Sequence, residues 1–263
     1  MAAVTISTLN RMKDNSEKFV CVTAYDATFA TLVSQAGAET ILVGDSLGMV
    51  LQGHDSTVPV TIDDMAYHTA CVARARTESL LIADMPFMTY TTPEQTLDNA
   101  TVLMQAGAQM VKMEGGVWLS DSISMLVERG IPVCTHLGLT PQSVNAFGGF
   151  KVQGRTPKEA KSILADAVEI QDAGASLLVL ECIPAALAAD ISSKLDIPVI
   201  GIGAGAGTDA QVLVLHDLLG LSPRTPRFVR NFMAGEDSVQ GALKAFVTAV
   251  KSGTFPAPEH TYS

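Results

Sequence analysis

Basic residues and long apolar runs are scarce in this 263-residue sequence. Lysine and arginine number 17 against 27 aspartates and glutamates, which leaves a net charge of −10. Nucleic-acid binding is therefore disfavoured, because phosphate contacts need a basic surface. No apolar run reaches the roughly 18 residues of a membrane-spanning helix, and residues 1–5 lack the basic and apolar regions of a secretory signal. We expect a cytoplasmic protein that binds small molecules, not nucleic acid or membrane.

Cysteines and linkers are also few. Cys21, Cys71, Cys134 and Cys182 are scattered, without the paired spacing of metal-binding motifs, so we expect reduced and mostly buried thiols. No Pro/Ser-rich linker or charge block divides the chain, and 48% of its residues are apolar. We predict one domain over residues 1–263, with a short N-terminal helix and a C-terminal tail. The apolar share also favours a buried contact between subunits.

One layout occurs three times: Ala-Gly-Ala, then a short apolar run, then a carboxylate. It covers residues 36–45 (AGAETILVGD), 106–114 (AGAQMVKME) and 173–181 (AGASLLVLE). Because glycine tolerates the left-handed conformation that ends a helix, each copy predicts a helix end followed by a strand. A fourth run, residues 79–84 (SLLIAD), lacks Ala-Gly-Ala but also ends on an acid. Four predicted strands therefore end in a carboxylate.

Eight short apolar runs alternate with helical segments along the chain. Six of the predicted strands cover residues 19–24, 80–83, 110–114, 132–136, 197–202 and 211–215, and the second and sixth strands end at Asp45 and Glu181. This alternation indicates parallel pairing of the strands. Eight such strand–helix units close most simply into a single α/β domain, a (β/α)8 TIM-type barrel. The alternative is an open doubly wound sheet, which would not explain acids at four strand ends spread along the chain. In a barrel those ends converge on one mouth.

Asp45, Asp84 and Glu114 end three consecutive predicted strands, so they would be neighbours on the rim of the barrel. Crowded carboxylates repel one another unless a cation joins them or some take up protons. Oxygen ligands select a hard ion such as Mg²⁺, which accepts one or two carboxylates with waters and substrate oxygens. The alternative is that each acid caps the helix that follows it. We predict a shared metal site.

Three further side chains belong to the predicted mouth. Lys112 lies two residues before Glu114, so both point to the same face of a strand, either as an internal ion pair or beside a substrate oxygen. His136 ends the fifth strand, where a structural and a catalytic role are both open. Glu181 ends the sixth strand, across the mouth from the metal, where it can act as a base without being a ligand.

Two glycine-rich loops follow predicted strands. Residues 137–154 form a loop of a length that is usually a lid, a binding loop or disordered. Residues 201–207 (GIGAGAG) follow the seventh strand, where barrels often bind phosphate. For the second loop we favour close backbone packing over phosphate binding.

The sequence resembles the ketopantoate hydroxymethyltransferase family over almost its whole length. The matching segments are residues 23–26 (TAYD), 43–48 (VGDSLG), 52–57 (QGHDST), 83–87 (ADMPF), 111–116 (VKMEGG), 136–143 (HLGLTPQS), 180–182 (LEC) and 201–205 (GIGAG). Together the segments are highly specific, although no single one is. Ala210 departs from the glycine usual in the family, and residues 206–207 also differ, which affects loop detail near the seventh strand but not the chemistry.

The resemblance implies a barrel of the phosphoenolpyruvate/pyruvate-binding kind that transfers a hydroxymethyl group. The donor would be 5,10-methylenetetrahydrofolate and the acceptor 3-methyl-2-oxobutanoate, giving 2-dehydropantoate for pantothenate and coenzyme A synthesis through an enolate stabilised by Mg²⁺. Family members are typically ring-built decamers, so a homo-oligomer is expected. The implied roles are metal binding by Asp45, Asp84 and Glu114, oxoacid binding by Asp45, Ser46, Asp84, Lys112 and His136, and proton abstraction by Glu181.

Two other functions remain open. A carbon–carbon lyase on a related barrel also binds oxoacid oxygens on Mg²⁺, but such lyases commonly carry a catalytic cysteine on a loop after strand four or five. Residues 137–154 contain no cysteine. A non-catalytic scaffold or metabolite sensor would have broken site residues, whereas the acids, Lys112 and His136 are all present. The residues that contact the folate are not identified by the sequence.

Overall fold

Eight parallel strands form the centre of the structure, a computed structural model that describes residues 3–263. Each strand pairs with the next, and β8 pairs with β1, so the sheet closes into a barrel. The strands are β1 (Phe19–Thr23), β2 (Thr40–Val43), β3 (Leu80–Asp84), β4 (Met110–Glu114), β5 (Val133–Gly138), β6 (Leu177–Glu181), β7 (Val199–Ile202) and β8 (Ala210–Leu213). The predicted barrel is confirmed over the open sheet.

Helices surround the barrel and follow the predicted order. They are α1 (Ile6–Asp14), α2 (Ala27–Gln35), α3 (Leu47–Val50), α4 (Ile62–Ala73), α5 (Pro93–Ala106), α6 (Ser120–Glu128), α7 (Val144–Phe147), α8 (Pro157–Asp172), α9 (Ala185–Lys194), α10 (Leu215–Leu218) and α11 (Val239–Lys251). Short 3₁₀ turns cover Val117–Leu119, Pro141–Ser143 and Pro258–His260. Because helices cover the outer face, the strands are buried on both sides and read as apolar runs.

Local signals in the sequence set the ends of these elements. Asp26 accepts a hydrogen bond from the Phe29 backbone N–H at 2.9 Å and caps α2. The glycines of the three Ala-Gly-Ala copies, Gly37, Gly107 and Gly174, have positive φ angles of 95°, 114° and 107°. These are the left-handed positions that the repeated layout predicts after each helix.

The end of the barrel where the strands begin is closed by α1. The Lys13 ammonium donates to Asp209 Oδ2 at 2.7 Å and to the Ser192 carbonyl oxygen at 2.9 Å. Asp209 Oδ2 also accepts from the Val199 backbone N–H at 2.8 Å, which ties the helix to the start of β7. A ligand site is therefore left to the opposite end, where the strands finish.

Some boundaries differ from the predictions. Strand β2 ends at Val43, so Asp45 lies in the turn that leads into α3. The loop 137–154 is not structureless, because β5 extends to Gly138 and a 3₁₀ turn and α7 follow. Strand β8 covers Ala210–Leu213 instead of 211–215, and the fully buried Ala210 fits as its first residue.

The loop 201–207 packs closely against α9. A Cβ added at Gly205 would lie 2.5 Å from Ala185 Cβ, and one added at Gly207 would lie 2.6 Å from Ala189 Cβ. Both distances are far shorter than ordinary van der Waals contact, so only glycine lets the loop approach the helix. This supports backbone packing as the reason for these glycines.

All four cysteines are free thiols, and all but Cys71 are buried, as the sequence predicts. Within residues 3–263, no helix combines the length and the apolar character that crossing a membrane requires.

Gly138 offers a test of the barrel packing. It has a φ of 91°, and an added Cβ would collide with the Glu181 carbonyl oxygen. We expect Gly138→Ala to lower the free energy of unfolding by about 3 kcal/mol or more, since alanine is strained in this conformation and the backbone must also move. Urea denaturation measures the change.

Gly130→Ala is the matched control. Gly130 has a φ of 81°, but nothing lies within 4 Å of an added Cβ. Only the conformational penalty of about 1–2 kcal/mol should remain. Equal losses in the two variants would contradict the tight contact between β5 and β6.

Candidate active site

Charged side chains converge at the mouth of the barrel where the strands end. They are Asp45 after β2, Asp84 on β3, Lys112 and Glu114 on β4, His136 on β5 and Glu181 on β6. We call these six residues the mouth cluster. The strand register builds it, because Asp84 pairs with Lys112 and Glu114 pairs with His136 across neighbouring strands. All are buried except Glu181, whose side chain is 14% exposed.

A buried ion pair lies at the centre of the mouth cluster. Lys112 Nζ donates to Asp84 Oδ1 at 2.5 Å and lies 3.7 Å from Glu114 Oε1. Asp84 Oδ2 accepts from the Asp45 backbone N–H at 3.0 Å. Burial lowers the pKa of Lys112, but the charges of Asp84 and Glu114 outweigh it and raise the pKa overall. Lys112 therefore stays protonated, and the predicted shared face of Lys112 and Glu114 is confirmed.

His136 links two carboxylates. Its Nδ1 lies 3.2 Å from Glu114 Oε1, and its Nε2 lies 3.3 Å from Glu181 Oε2. The second pair is close, but its angles do not make a hydrogen bond, and Nε2 has no other partner within residues 3–263. Burial and the charge of Lys112 lower the pKa of His136, but Glu114 and Glu181 raise it overall, to about 9. At neutral pH the imidazole is therefore a cation.

Glu181 lies nearer the other acids than expected. Its place two strands beyond Glu114 predicts a position across the mouth from the metal, whereas a single imidazole separates it from Glu114. The reason is the stagger of the barrel: Glu181 pairs with Gly138, two residues beyond His136 on β5.

Negative charge exceeds positive charge in the mouth cluster. When all are ionised, the four carboxylates and the two cations, Lys112 and His136, leave a net charge of −2. Burial, followed by the charges of Asp84 and Glu114, holds the pKa of Asp45 well above its ordinary value. Burial also raises the pKa of Asp84, in spite of the opposing charge of Lys112. A divalent cation or proton uptake would relieve this excess.

Gln142, in the 3₁₀ turn after β5, is a site residue that the sequence analysis did not identify. Its Nε2 donates to Asp45 Oδ2 at 2.8 Å and to the Met85 carbonyl oxygen at 3.0 Å. Its backbone N–H donates to Glu114 Oε2 at 3.0 Å, and its Oε1 accepts from the Tyr90 hydroxyl. Its only sequence signal is its position within the matching segment 136–143, since an amide in a loop has no periodicity to mark it.

Ser46 lies beside the mouth cluster, directly after Asp45. Its hydroxyl is 2.9 Å from the hydroxyl of Tyr25, which is buried at the end of β1. The hydrogen bond fixes the orientation of Ser46, so its hydroxyl is positioned at the mouth before any ligand arrives.

Within residues 3–263, no group of three or more His, Cys, Asp or Glu side chains is arranged to hold a metal ion. The predicted ligands instead have protein partners: Asp45 bonds Gln142, Asp84 bonds Lys112, and Glu114 bonds His136. The ligand set of three acids therefore stays a prediction.

The profile described as ketopantoate hydroxymethyltransferase matches residues 3–258. The chain belongs to this family. Among its relatives, the 3-methyl-2-oxobutanoate hydroxymethyltransferase of Pseudomonas fluorescens (strain Pf0-1) is 58% identical over 265 residues and that of Shewanella frigidimarina (strain NCIMB 400) is 60% identical over 264 residues. Each alignment covers 100% of both chains. The resemblance seen in the sequence is confirmed, and the chain is a hydroxymethyltransferase of the ketopantoate hydroxymethyltransferase family.

Solved structures share the fold at low sequence identity. Phosphonopyruvate hydrolase in complex with oxalate and Mg²⁺ has a TM-score of 0.60, 12% identity and 80% coverage of both chains. A 2,3-dimethylmalate lyase, described as a member of the PEP mutase/isocitrate lyase superfamily, has a TM-score of 0.58, 17% identity and 81% coverage of both. These likenesses confirm the (β/α)8 barrel fold. They concern the fold alone, so they do not favour the lyase alternative.

Gln142→Leu tests the hydrogen bonds of the mouth cluster. We expect the free energy of unfolding to fall by about 2–4 kcal/mol, because Asp45, the Met85 carbonyl and the Tyr90 hydroxyl lose a buried partner. Urea denaturation measures the loss. Gln105→Leu, at an exposed glutamine of α5, is the control and should change stability by at most about 0.5 kcal/mol. Similar stabilities for the two variants would mean that Gln142 does not hold the cluster together.

Proposed function

We propose that this protein transfers a hydroxymethyl group from 5,10-methylenetetrahydrofolate to 3-methyl-2-oxobutanoate, forming 2-dehydropantoate. The family relationship over nearly the whole chain supports the reaction class. The observation that carries the proposal is the mouth cluster, which places two cations and four carboxylates at one end of the barrel. Its Lys112 and His136 provide positive charge for an anionic 2-oxoacid, and its carboxylates provide oxygen ligands and a base.

The mouth cluster fits a magnesium ion by its donor chemistry and its charge. Carboxylate oxygens are hard ligands, and the excess negative charge matches a divalent cation. Mg²⁺ needs only one or two carboxylates when waters and substrate oxygens complete its shell. Asp45, Asp84 and Glu114 would hold it, directly or through bound waters. Once bound, it would withdraw electron density from the keto group and make the C3 proton of the oxoacid more acidic.

Lys112 and His136 would orient the oxoacid. Both are buried side chains that bond carboxylates of the mouth cluster, so their positive charge lies at the end of the barrel where the strands finish. A substrate carboxylate or a developing enolate oxygen is stabilised strongly by fixed charges in a site that excludes water. The hydroxyl of Ser46, held by Tyr25, offers a further hydrogen-bond donor.

Glu181 would remove the C3 proton. Asp45, Asp84 and Glu114 all accept hydrogen bonds from protein groups, whereas the Glu181 side chain accepts none within residues 3–263, and its Oε2 lies 3.3 Å from His136 Nε2. It is also the only acid of the mouth cluster that is not buried. Its carboxylate is therefore free to accept a proton. The resulting enolate would attack the one-carbon unit through C3, forming the new C–C bond as the two bonds from that carbon to the folate nitrogens break. Water would supply the hydroxyl oxygen of 2-dehydropantoate, and tetrahydrofolate, with its nitrogens protonated, would leave.

We further propose a role in pantothenate and coenzyme A synthesis, since 2-dehydropantoate is the product that the family relationship implies. A homo-oligomer, a decamer by family resemblance, and a cytoplasmic location stay predictions.

Proton exchange without folate tests the base. We expect Glu181→Gln to slow deuterium exchange at C3 of 3-methyl-2-oxobutanoate by about 100-fold or more, because an amide cannot accept the proton. The exchange is followed by NMR in D₂O with Mg²⁺ present, and calorimetry checks that the oxoacid still binds. Glu128→Gln, at a side chain that is 74% exposed on α6, should exchange like the wild type. Undiminished exchange in Glu181→Gln would remove Glu181 from this role.

Metal affinity tests the carboxylates. We expect Asp45→Asn to weaken Mg²⁺ binding by about tenfold or more, measured by calorimetry with the oxoacid present, because a charged ligand is lost. The asparagine oxygen can still accept the hydrogen bond from Gln142, so the fold should be retained. Asp121→Asn on the exposed face of α6 is the control. If both variants bind Mg²⁺ as the wild type does, the ion is not held by Asp45.

A further inference from the structure

A cavity of about 310 Å³ opens beside the mouth cluster. Its lining includes Glu114 of the mouth cluster, Trp118, and Asp166 of α8. The volume lies at the lower end of the roughly 300–1,000 Å³ of small-molecule sites. It suits a planar bicyclic ring whose remaining substituents extend into solvent. The cavity therefore joins the proposed reaction centre to a separate binding region.

Trp118, the only tryptophan of the chain, forms an aromatic wall of this cavity. Its ring stacks on that of Tyr90, with centroids 6.0 Å apart and planes inclined by 15°. Tyr90 is buried, and its hydroxyl meets Gln142. Trp118 itself is 60% exposed, an unusual state for the largest apolar side chain. A ring held in place from one side and open on the other is a platform for a planar ligand.

Asp166 supplies a carboxylate at the same cavity. Its Oδ1 accepts from the Val117 backbone N–H at 3.2 Å, and its Oδ2 accepts no hydrogen bond from residues 3–263. A carboxylate presents two adjacent acceptors and can bind two parallel N–H donors. The aminopyrimidinone edge of a pterin has this pair of donors, in its ring N–H and its amino group.

Gly115 and Gly116, which follow β4, leave room for the Trp118 ring and for the Asp166 carboxylate. A Cβ at Gly115 would lie 2.6 Å from atoms of the Trp118 ring, and one at Gly116 would lie 2.6 Å from Asp166 Oδ2. Any other residue at these positions would displace the tryptophan or the carboxylate. Neither glycine has a role in the chemistry proposed for the mouth cluster, so the pair serves the cavity.

We propose that the pterin ring of the folate co-substrate binds in this cavity, stacked on Trp118 and bonded to Asp166. The one-carbon unit then faces the Glu114 side, towards the oxoacid, and the tail of the folate leaves through the open rim. This inference rests on the proposed function, which supplies the folate. A guanine base carries the same aminopyrimidinone edge, but the continuity of the cavity with the mouth cluster favours the pterin.

The single tryptophan gives a direct measurement. Tetrahydrofolate is titrated into the wild-type protein in the presence of Mg²⁺ and 3-methyl-2-oxobutanoate, and we expect saturable quenching of the Trp118 fluorescence. Asp166→Asn should weaken tetrahydrofolate binding by about tenfold, because the charged acceptor is lost. Trp118→Ala, followed by calorimetry, should weaken it similarly. Glu169→Gln, an exposed position of α8 that does not line the cavity, is the matched control and should bind like the wild type.

The outcomes separate this inference from the proposed function. Deuterium exchange at C3 of the oxoacid requires no folate and is measured on the same proteins. If the wild type exchanges normally while Asp166→Asn and Trp118→Ala bind tetrahydrofolate as tightly as Glu169→Gln does, the pterin lies elsewhere and this inference fails alone. If the wild type shows no exchange, the proposed function and the inference fall together. Tighter binding of guanosine 5′-monophosphate than of tetrahydrofolate would also overturn the assignment to a pterin.

Discussion

The ion pair between Lys112 and Asp84 is the interaction on which the functional end of the barrel depends. The two side chains are each 4% exposed and 2.5 Å apart. Moving charges out of water costs several kcal/mol per ion, which their attraction offsets only when further hydrogen bonds satisfy the remaining atoms. Asp45 contributes its backbone N–H to Asp84, and Glu114 lies on the other side of Lys112. Lys112 and Asp84 therefore stabilise each other, and removing either one would leave the other buried without its counter-charge.

The barrel register makes this compensation possible. Lys112 stands opposite Asp84, and His136 stands opposite Glu114, on three adjacent strands. A slip of one residue would turn a whole strand face over and leave charges buried without partners. The same pairing explains the high pKa of His136, since the two carboxylates that raise it come from the strands on either side. The register of the strands therefore sets both the positions of these charged side chains and the pKa of His136.

A short stretch of chain connects the two halves of the proposed site. Within residues 112–118, β4 contributes Lys112 and Glu114, the glycine pair follows, and Trp118 reaches the cavity. Tyr90 lies beneath this stretch, stacked on Trp118 and bonded to Gln142. Gln142 in turn bonds Asp45. Trp118 thus stacks on a residue of the buried hydrogen-bond network that holds the carboxylates, so its ring is positioned relative to the mouth cluster.

The order of helices and strands, the closed barrel and the acids near its mouth can all be predicted from the sequence. These follow from local rules: alternation of helix and strand, glycine after three of the helices, and a side-chain period of two that sets Lys112 beside Glu114. Only the tertiary structure decided that Gln142 joins Tyr90, 52 residues away, and that Asp166 approaches Val117, 49 residues away. Such contacts join separate loops and helices, and they depend on how side chains fill the space between elements. A local pattern carries no record of that packing, which is why the folding of the whole barrel was needed to place them.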